Sequence, residues 1–191
     1  EGNTADLAEA GANFGFISGD HYLAPAGEQL RKMSVGRDVI VPIISSNNPF
    51  IGEIFQKGIS PEKLARVFDN PEKRVWGTFL ANGQNVPVHL YIMNDESVIS
   101  AVKKFLNLNQ IPVDGIYSVS EEVMITAVQN DPYAVGFCKM VNIIGPGKQS
   151  MVENIKLLPI DKNGNGKIDY MEKIYDDLDV FARGVWIGKY P

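Results

Sequence analysis

The chain has 191 residues, 45% of them hydrophobic and 21% charged, with a formal net charge of −5. That is an ordinary globular composition, long enough for one large domain or two small lobes around a real core. The negative charge argues against nucleic acid or an anionic membrane surface as the main partner, and the longest apolar run, Val39 to Ile44, is far too short to span a bilayer.

Residues 1–36 are rich in Gly and Ala, and Asn13-Phe-Gly-Phe-Ile-Ser18 is their one strand-like stretch. Val39 to Ile44 reads as a continuously apolar strand, with Pro42 placing it near an edge or a bulge. Ser45 to Pro49 is a turn and linker. A helix starts at Ser60, the N-cap, with Pro61 at the first helical position; it buries Leu64, Val67 and Phe68 and ends at Asp69-Asn-Pro71. Val86, Val88, Leu90 and Ile92 alternate as a strand, and Asn94-Asp-Glu-Ser97 starts a helix carrying Val98, Ala101, Val102 and Phe105. A further capped helix is expected from Ser118-x-x-Glu121 to Asp131-Pro132, leading into a strand that contains Gly136. Strands alternating with helices predict an α/β fold whose sheet has parallel members.

Residues Asp161 to Glu172 read D-K-N-G-N-G-K-I-D-Y-M-E. Oxygen-bearing side chains fall at loop positions one, three, five, nine and twelve, with Gly166 at six for the sharp turn. Calcium takes about six to eight hard oxygen ligands. The spacing lets Asp161, Asn163 and Asn165 wrap one side of the ion, the Lys167 carbonyl supply position seven, Asp169 act directly or through water, and Glu172 close the far side. Ile168, at position eight, is expected to brace the loop against an apolar layer. Pro159 forbids an incoming helix, so Ile155 to Ile160 reads as a strand; the exit is read as helical, from the spacing of Ile174, Leu178 and Phe181, with Gly188 and Pro191 as a stop. A single loop with one helix predicts a calcium staple rather than a sensor, because a sensor needs a bistable helix pair. Calcium chemistry of this kind favours a calcium-rich compartment outside the cytoplasm.

No catalytic constellation emerges. His89 on its alternating strand reads as structural, whereas His21 follows a strand in Ser18-Gly-Asp-His21, a position that is as readily a plain turn as a ligand loop. The backbone N–H groups at Asn94 to Ser97 could receive an oxyanion, unless Asp95 and Glu96 satisfy those donors as caps. Cys138 is the lone cysteine and reads as a small buried hydrophobe. The aromatics, including Trp76, Trp186, Tyr91 and Tyr133, are too dispersed for a sugar platform, and most are expected in the core.

Three stretches resemble the solute-binding receptors of bacterial phosphate ABC importers, in the periplasmic binding protein type II superfamily. They are Val39 to Pro49, ending in Ser-Ser-Asn-Asn-Pro; the helix from Ile59-Ser-Pro-Glu-Lys-Leu64 to Phe68; and Asp131-Pro-Tyr-Ala-Val-Gly-Phe137. The tail from Leu158 to Pro191 is similar to a calcium-loop version of these receptors found in Bacteroidetes. The resemblance implies a periplasmic binding protein type II-like fold, a mixed sheet flanked by helices in a whole or incomplete two-lobe arrangement. Residues 1–45 with 142–191 would form the first-lobe-like part and 46–141 the second. It implies a non-enzymatic, exported protein, periplasmic or at the cell surface, with or without a lipid anchor. Its partners would be a small, phosphate-like oxyanion and the membrane subunits of an importer. Ser18, Gly19 and Asp20 match the first ligand loop, and Ser97 matches the second. Ser97-Val-Ile stands where the family has Ser-Gly-Thr, and Met93-Asn94 where it has an Arg just upstream. These departures keep a second reading open: a calcium-stabilised surface interaction module with no small-molecule ligand.

Overall fold

A five-stranded mixed sheet frames the fold, in the order β3-β2-β4-β1-β5. The strands are β1 (Ile40–Ser45), β2 (His89–Met93), β3 (Ile116–Val119), β4 (Ala134–Lys139) and β5 (Ile155–Leu157); the helices are α1 (Ile51–Lys57), α2 (Pro61–Asp69), α3 (Trp76–Leu80), α4 (Glu96–Leu106), α5 (Glu121–Asn130) and α6 (Leu178–Trp186). This computed structural model describes residues 33, 36, 38–112, 114–145, 147 and 150–191, and all of these elements belong to the unit Asp38–Pro191. The strand-like stretch 13–18, together with Ser18, Gly19, Asp20 and His21, lies outside the described residues.

β2 pairs in parallel with β3 and β4, whereas β1 runs antiparallel to both β4 and β5. β1 and β5, which lie outside the expected 46–141 part, thus share one sheet with the strands inside it. One sheet face carries Ile44, Leu90, Ile92, Val135 and Phe137, and Phe68 of α2 meets the Phe137 ring edge-on with centroids 5.4 Å apart. The opposite face carries Ile43, Tyr91 and Gly136, and it is covered by α5. A Cβ on Gly136 would stand 3.0 to 3.2 Å from Val128, Ile43 and Met124, so the missing side chain is what lets α5 sit this close. Right-handed crossovers account for the layering. The chain steps outward from β2 to β3 through α4 and back past β2 to β4 through α5, so the two helices lie on opposite faces.

Several sequence expectations hold with adjusted boundaries. Ser60 caps α2 by accepting from Lys63 N at 3.4 Å, and Leu64, Val67 and Phe68 are buried. Pro42 lies in a strand with neighbours on both sides, yet its lack of an N–H costs little. Its carbonyl accepts from Leu158 N at 2.9 Å, just past Leu157, the last paired residue of the short edge strand β5. The alternating run from Val86 joins the sheet only at His89, because Pro87 and Val88 pair with the segment leading into α3 (Val88 N to Arg74 O, 2.9 Å). The helix expected from Ser118 begins at Glu121: Ser118 belongs to β3, where it aligns with Ile92, and Ser120 takes the N-cap position. The helix expected on leaving the 161–172 loop begins only at Leu178, where Asp177 caps it through Val180 N at 2.8 Å; Ile174 lies before it and packs against Gly184. Trp186 is 74% exposed rather than core, while Trp76 is fully buried.

Arg74, only 8% exposed, has no carboxylate partner among the described residues. Its guanidinium donates to three backbone carbonyls: Val67 at 3.0 Å, Phe68 at 3.0 Å and Asp114. It therefore ties the carboxyl end of α2 to the turn before β3, satisfying carbonyls that a helix end leaves open. Arg74→Met should lower unfolding free energy by about 2 to 3 kcal/mol, because buried carbonyls lose their donors. Chemical denaturation checks this, and a loss below about 0.5 kcal/mol would mean that water replaces the guanidinium.

Candidate functional site

The junction of β2 and α4 is where an α/β sheet of this topology offers a ligand site. The connections leaving β2 and β3 go to opposite faces, and such a reversal opens a crevice at the carboxyl ends of the strands. Asn94 N donates to Val119 O at 2.8 Å, which joins the ends of β2 and β3 there. Ser97, the sequence-predicted contact on this junction, sits in the first turn of α4 and is exposed.

Asp95 already occupies the donors at this helix start. Its Oδ1 accepts from Ser97 N at 2.9 Å, from Val98 N at 3.3 Å and from the Ser97 hydroxyl. Its Oδ2 accepts from Lys139 Nζ at 2.7 Å, a side chain delivered from the end of β4, which runs parallel to β2. Lys139 first, then Ser97, holds the Asp95 carboxyl well below its ordinary 3.8, at about 2. Sequence reasoning weighed Asp95 as a cap but missed Lys139, because 44 residues separate the two.

The second candidate is the 161–172 loop. Asp161 and Glu172 are only 1% and 5% exposed, and neither forms an ion pair among the described residues. Their oxygens accept loop N–H groups. Asp161 takes Asn165 N at 3.1 Å and Gly166 N at 2.8 Å, while Glu172 takes Asn163 N at 3.1 Å and Asp169 N at 3.3 Å. Asn163 donates to Asp169 Oδ2 at 2.8 Å, its own Oδ1 accepts Asn165 N at 3.0 Å, and Asn165 Oδ1 accepts Lys167 N at 3.1 Å. The Met171 N–H, ahead of the other donors, draws the Asp169 pKa down. No three His, Cys, Asp or Glu side chains among the described residues stand close enough together to hold a metal by themselves. The oxygens of Asn163 and Asn165 and the Lys167 carbonyl would have to complete any cage. As a donor set the loop is all hard oxygen, and its two buried acids have no cationic side chain to balance them.

Elsewhere the titratable groups read as structural. His89 Nδ1 lies 2.5 Å from Asp131 Oδ2, in keeping with the hydrogen-bonded role expected for it. Burial pushes the Cys138 thiol up to about 12, so it is an inert packing residue. No helix among the described residues is long and apolar enough to cross a membrane.

Asp95→Asn should cost about 1 kcal/mol near neutral pH, because the amide keeps the cap but loses the Lys139 ion pair and the negative charge at the helix start. Because the folded Asp95 pKa is depressed, its stabilisation is complete above about pH 4 and lost as the pH falls toward about 2. The stability difference between wild type and Asp95→Asn, measured by denaturation, should hold from pH 7 to 5 and shrink below 4; a pH-independent difference would mean that the carboxylate is not held by Lys139 and Ser97 in solution.

No protein-family model matches the sequence, and no curated protein does. Solved structures do match the fold. A possible phosphate binding protein from Planctomyces limnophilus superposes with a TM-score of 0.54 at 12% identity, over 66% of this chain and 42% of its own. An ABC-type phosphate transport receptor from Vibrio cholerae gives 0.47 at 14% identity, over 65% and 47%. PstS from Borrelia burgdorferi gives 0.44 at 22% identity, over 72% and 51%. The chain spans less than half the length of the first of these structures. That first likeness establishes the architecture: the mixed sheet with helices on both faces is a fold shared with the Planctomyces limnophilus protein.

Proposed function

We propose that the chain is a solute-binding protein or domain of a phosphate-type ABC importer, exported to the periplasm or cell surface and without catalytic activity. Its ligand is a small oxyanion such as phosphate, taken at the β2–α4 junction with Ser97 as a contact. The observation that carries this reading is the likeness of the sheet and its crossovers to the Planctomyces limnophilus protein, combined with a helix start at the crevice where such folds receive ligands. Partners on this reading are the importer's membrane subunits.

The Asp95 carboxylate favours a second reading. It satisfies the α4 donors that an oxyanion would take, and the family's Ser-Gly-Thr and Arg are replaced here. On that reading the fold serves as a surface interaction module with no small-molecule ligand.

Both readings share a structural calcium ion in the 161–172 loop. Asp161, Asn163, Asn165, Asp169 and Glu172 would hold it by their side chains and Lys167 by its carbonyl. The buried, cation-free pair Asp161 and Glu172 supports this, since two desolvated carboxylates call for a positive charge. Calcium would act there as a charge-balancing staple with no part in chemistry.

Calorimetric titration of anion-stripped protein in millimolar calcium separates the two readings. Micromolar or tighter phosphate binding, with sulfate as comparison, is the receptor outcome; no heat and no thermal shift leaves the module. For the loop, calcium should raise the melting temperature over chelator, as linkage requires of a ligand bound only by the folded state. Asp161→Ala and Glu172→Ala should abolish that shift. Equal melting temperatures with chelator and with calcium would remove calcium from the reading.

A further inference from the structure

The 161–172 loop does not stand alone against α6. Its first residue and its eighth both bond to one segment, the carboxyl end of α1 and the start of α2. Asp161 N donates to Ile59 O at 3.2 Å, Ile59 N donates to Pro159 O at 2.9 Å, and Ile59 and Ile160 form a parallel bridge. From the other side, Ile168 N donates to Gln56 O at 3.0 Å. Ile168, expected to brace the loop on an apolar layer, is thus braced on α1.

Gly58 sits at the centre of this grip. It closes α1 by donating to Ile54 O at 2.8 Å, and its φ of +65° is a conformation that L side chains rarely adopt. A Cβ there would meet Ile168 Cδ1 at 2.5 Å and both Asp161 Cβ and Asp161 N at 3.0 Å. The loop and the α1–α2 junction are therefore joined by backbone hydrogen bonds on both sides of Gly58, with the Ile168 side chain and Asp161 seated directly against it. Ser60, two residues on, caps α2, whose Leu64, Val67 and Phe68 are buried. A change in loop geometry at Asp161 or Ile168 has a short mechanical path into the core beneath α2.

We propose that occupancy of the 161–172 loop sets the order of the α1–α2 junction: the cation clamps Gln56 to Ser60, and through them α2, as well as the tail that follows the loop. This rests on the calcium reading above. It joins the loop to α1 and α2, with four of the five strands intervening in the sequence. In paired calcium hands a second loop gives the first its lateral support; here the end of α1 takes that place.

Hydrogen exchange followed by mass spectrometry on the full chain, in millimolar calcium and in chelator, tests this directly. Calcium should slow exchange at least tenfold in peptides covering residues 54–64 as well as in those covering 161–191, and leave β3 unchanged. Protection confined to 161–191 would overturn the proposal while leaving the calcium site standing. No calcium heat by calorimetry and no protection anywhere would overturn both together. As a second arm, Gly58→Ala should weaken calcium binding about tenfold although residue 58 supplies no ligand atom. A folded Gly58→Ala protein with unchanged calcium affinity would equally overturn the coupling, and if that variant does not fold, the exchange pattern of the wild-type chain decides.

Discussion

The close seat of α5 on β4 is the constraint from which the layering follows. β4 is buried from Ala134 to Cys138, pairs in parallel with β2 and antiparallel with β1, and so joins the two halves of the sheet. At its middle, Gly136 leaves Val128 and Met124 free to approach the strand backbone. With α5 held on that face, the α2 and α4 side chains must fill the other, where Phe68 meets Phe137. A larger residue at 136 would move α5 outward and open a gap along β1, because the interior is packed too densely to deform smoothly.

Charge burial is handled in two different ways in the same unit. Arg74 is satisfied entirely by backbone carbonyls, so a cation is dissolved in the dipoles at a helix's carboxyl end. Asp161 and Glu172 receive backbone N–H groups from their own loop, which lowers the cost of two buried anions without neutralising them. Neither arrangement contains a counter-ion among the described residues. The second places two buried carboxylates in one loop, and that pairing of like charges gives the calcium proposal its physical footing.

The β2–α4 junction shows the same economy with the opposite sign. Helix N–H groups, a serine hydroxyl and a lysine from β4 converge on one carboxylate. This donor set would suit a free oxyanion, and an internal one occupies it. A ligand arriving here competes with Asp95 or brings its own protons. The fold is shared with a possible phosphate binding protein, whereas the filled helix start points away from a plain anion seat.

Local chemistry was legible wherever a signal is complete within a few residues. Ser60-Pro61 opened α2, Asp95 lay within the stretch read as the start of α4, and the twelve residues from Asp161 supplied the oxygen pattern, because capping and turn formation involve near neighbours alone. α1 escaped notice because Phe50 offers it no side-chain cap, and β3 because Tyr117 and Ser118 face outward on an edge strand, where no apolar pattern is required. The direction of β1 and β5, the placing of Ser118 in a strand instead of at a cap, and the late start of α6 all depend on which segments find one another across the sheet. The same is true of Lys139 reaching Asp95, Arg74 reaching Asp114 and Gly58 admitting Ile168. Such pairings are settled by packing and by the closure of long loops, and adjacent residues in a sequence carry no record of them.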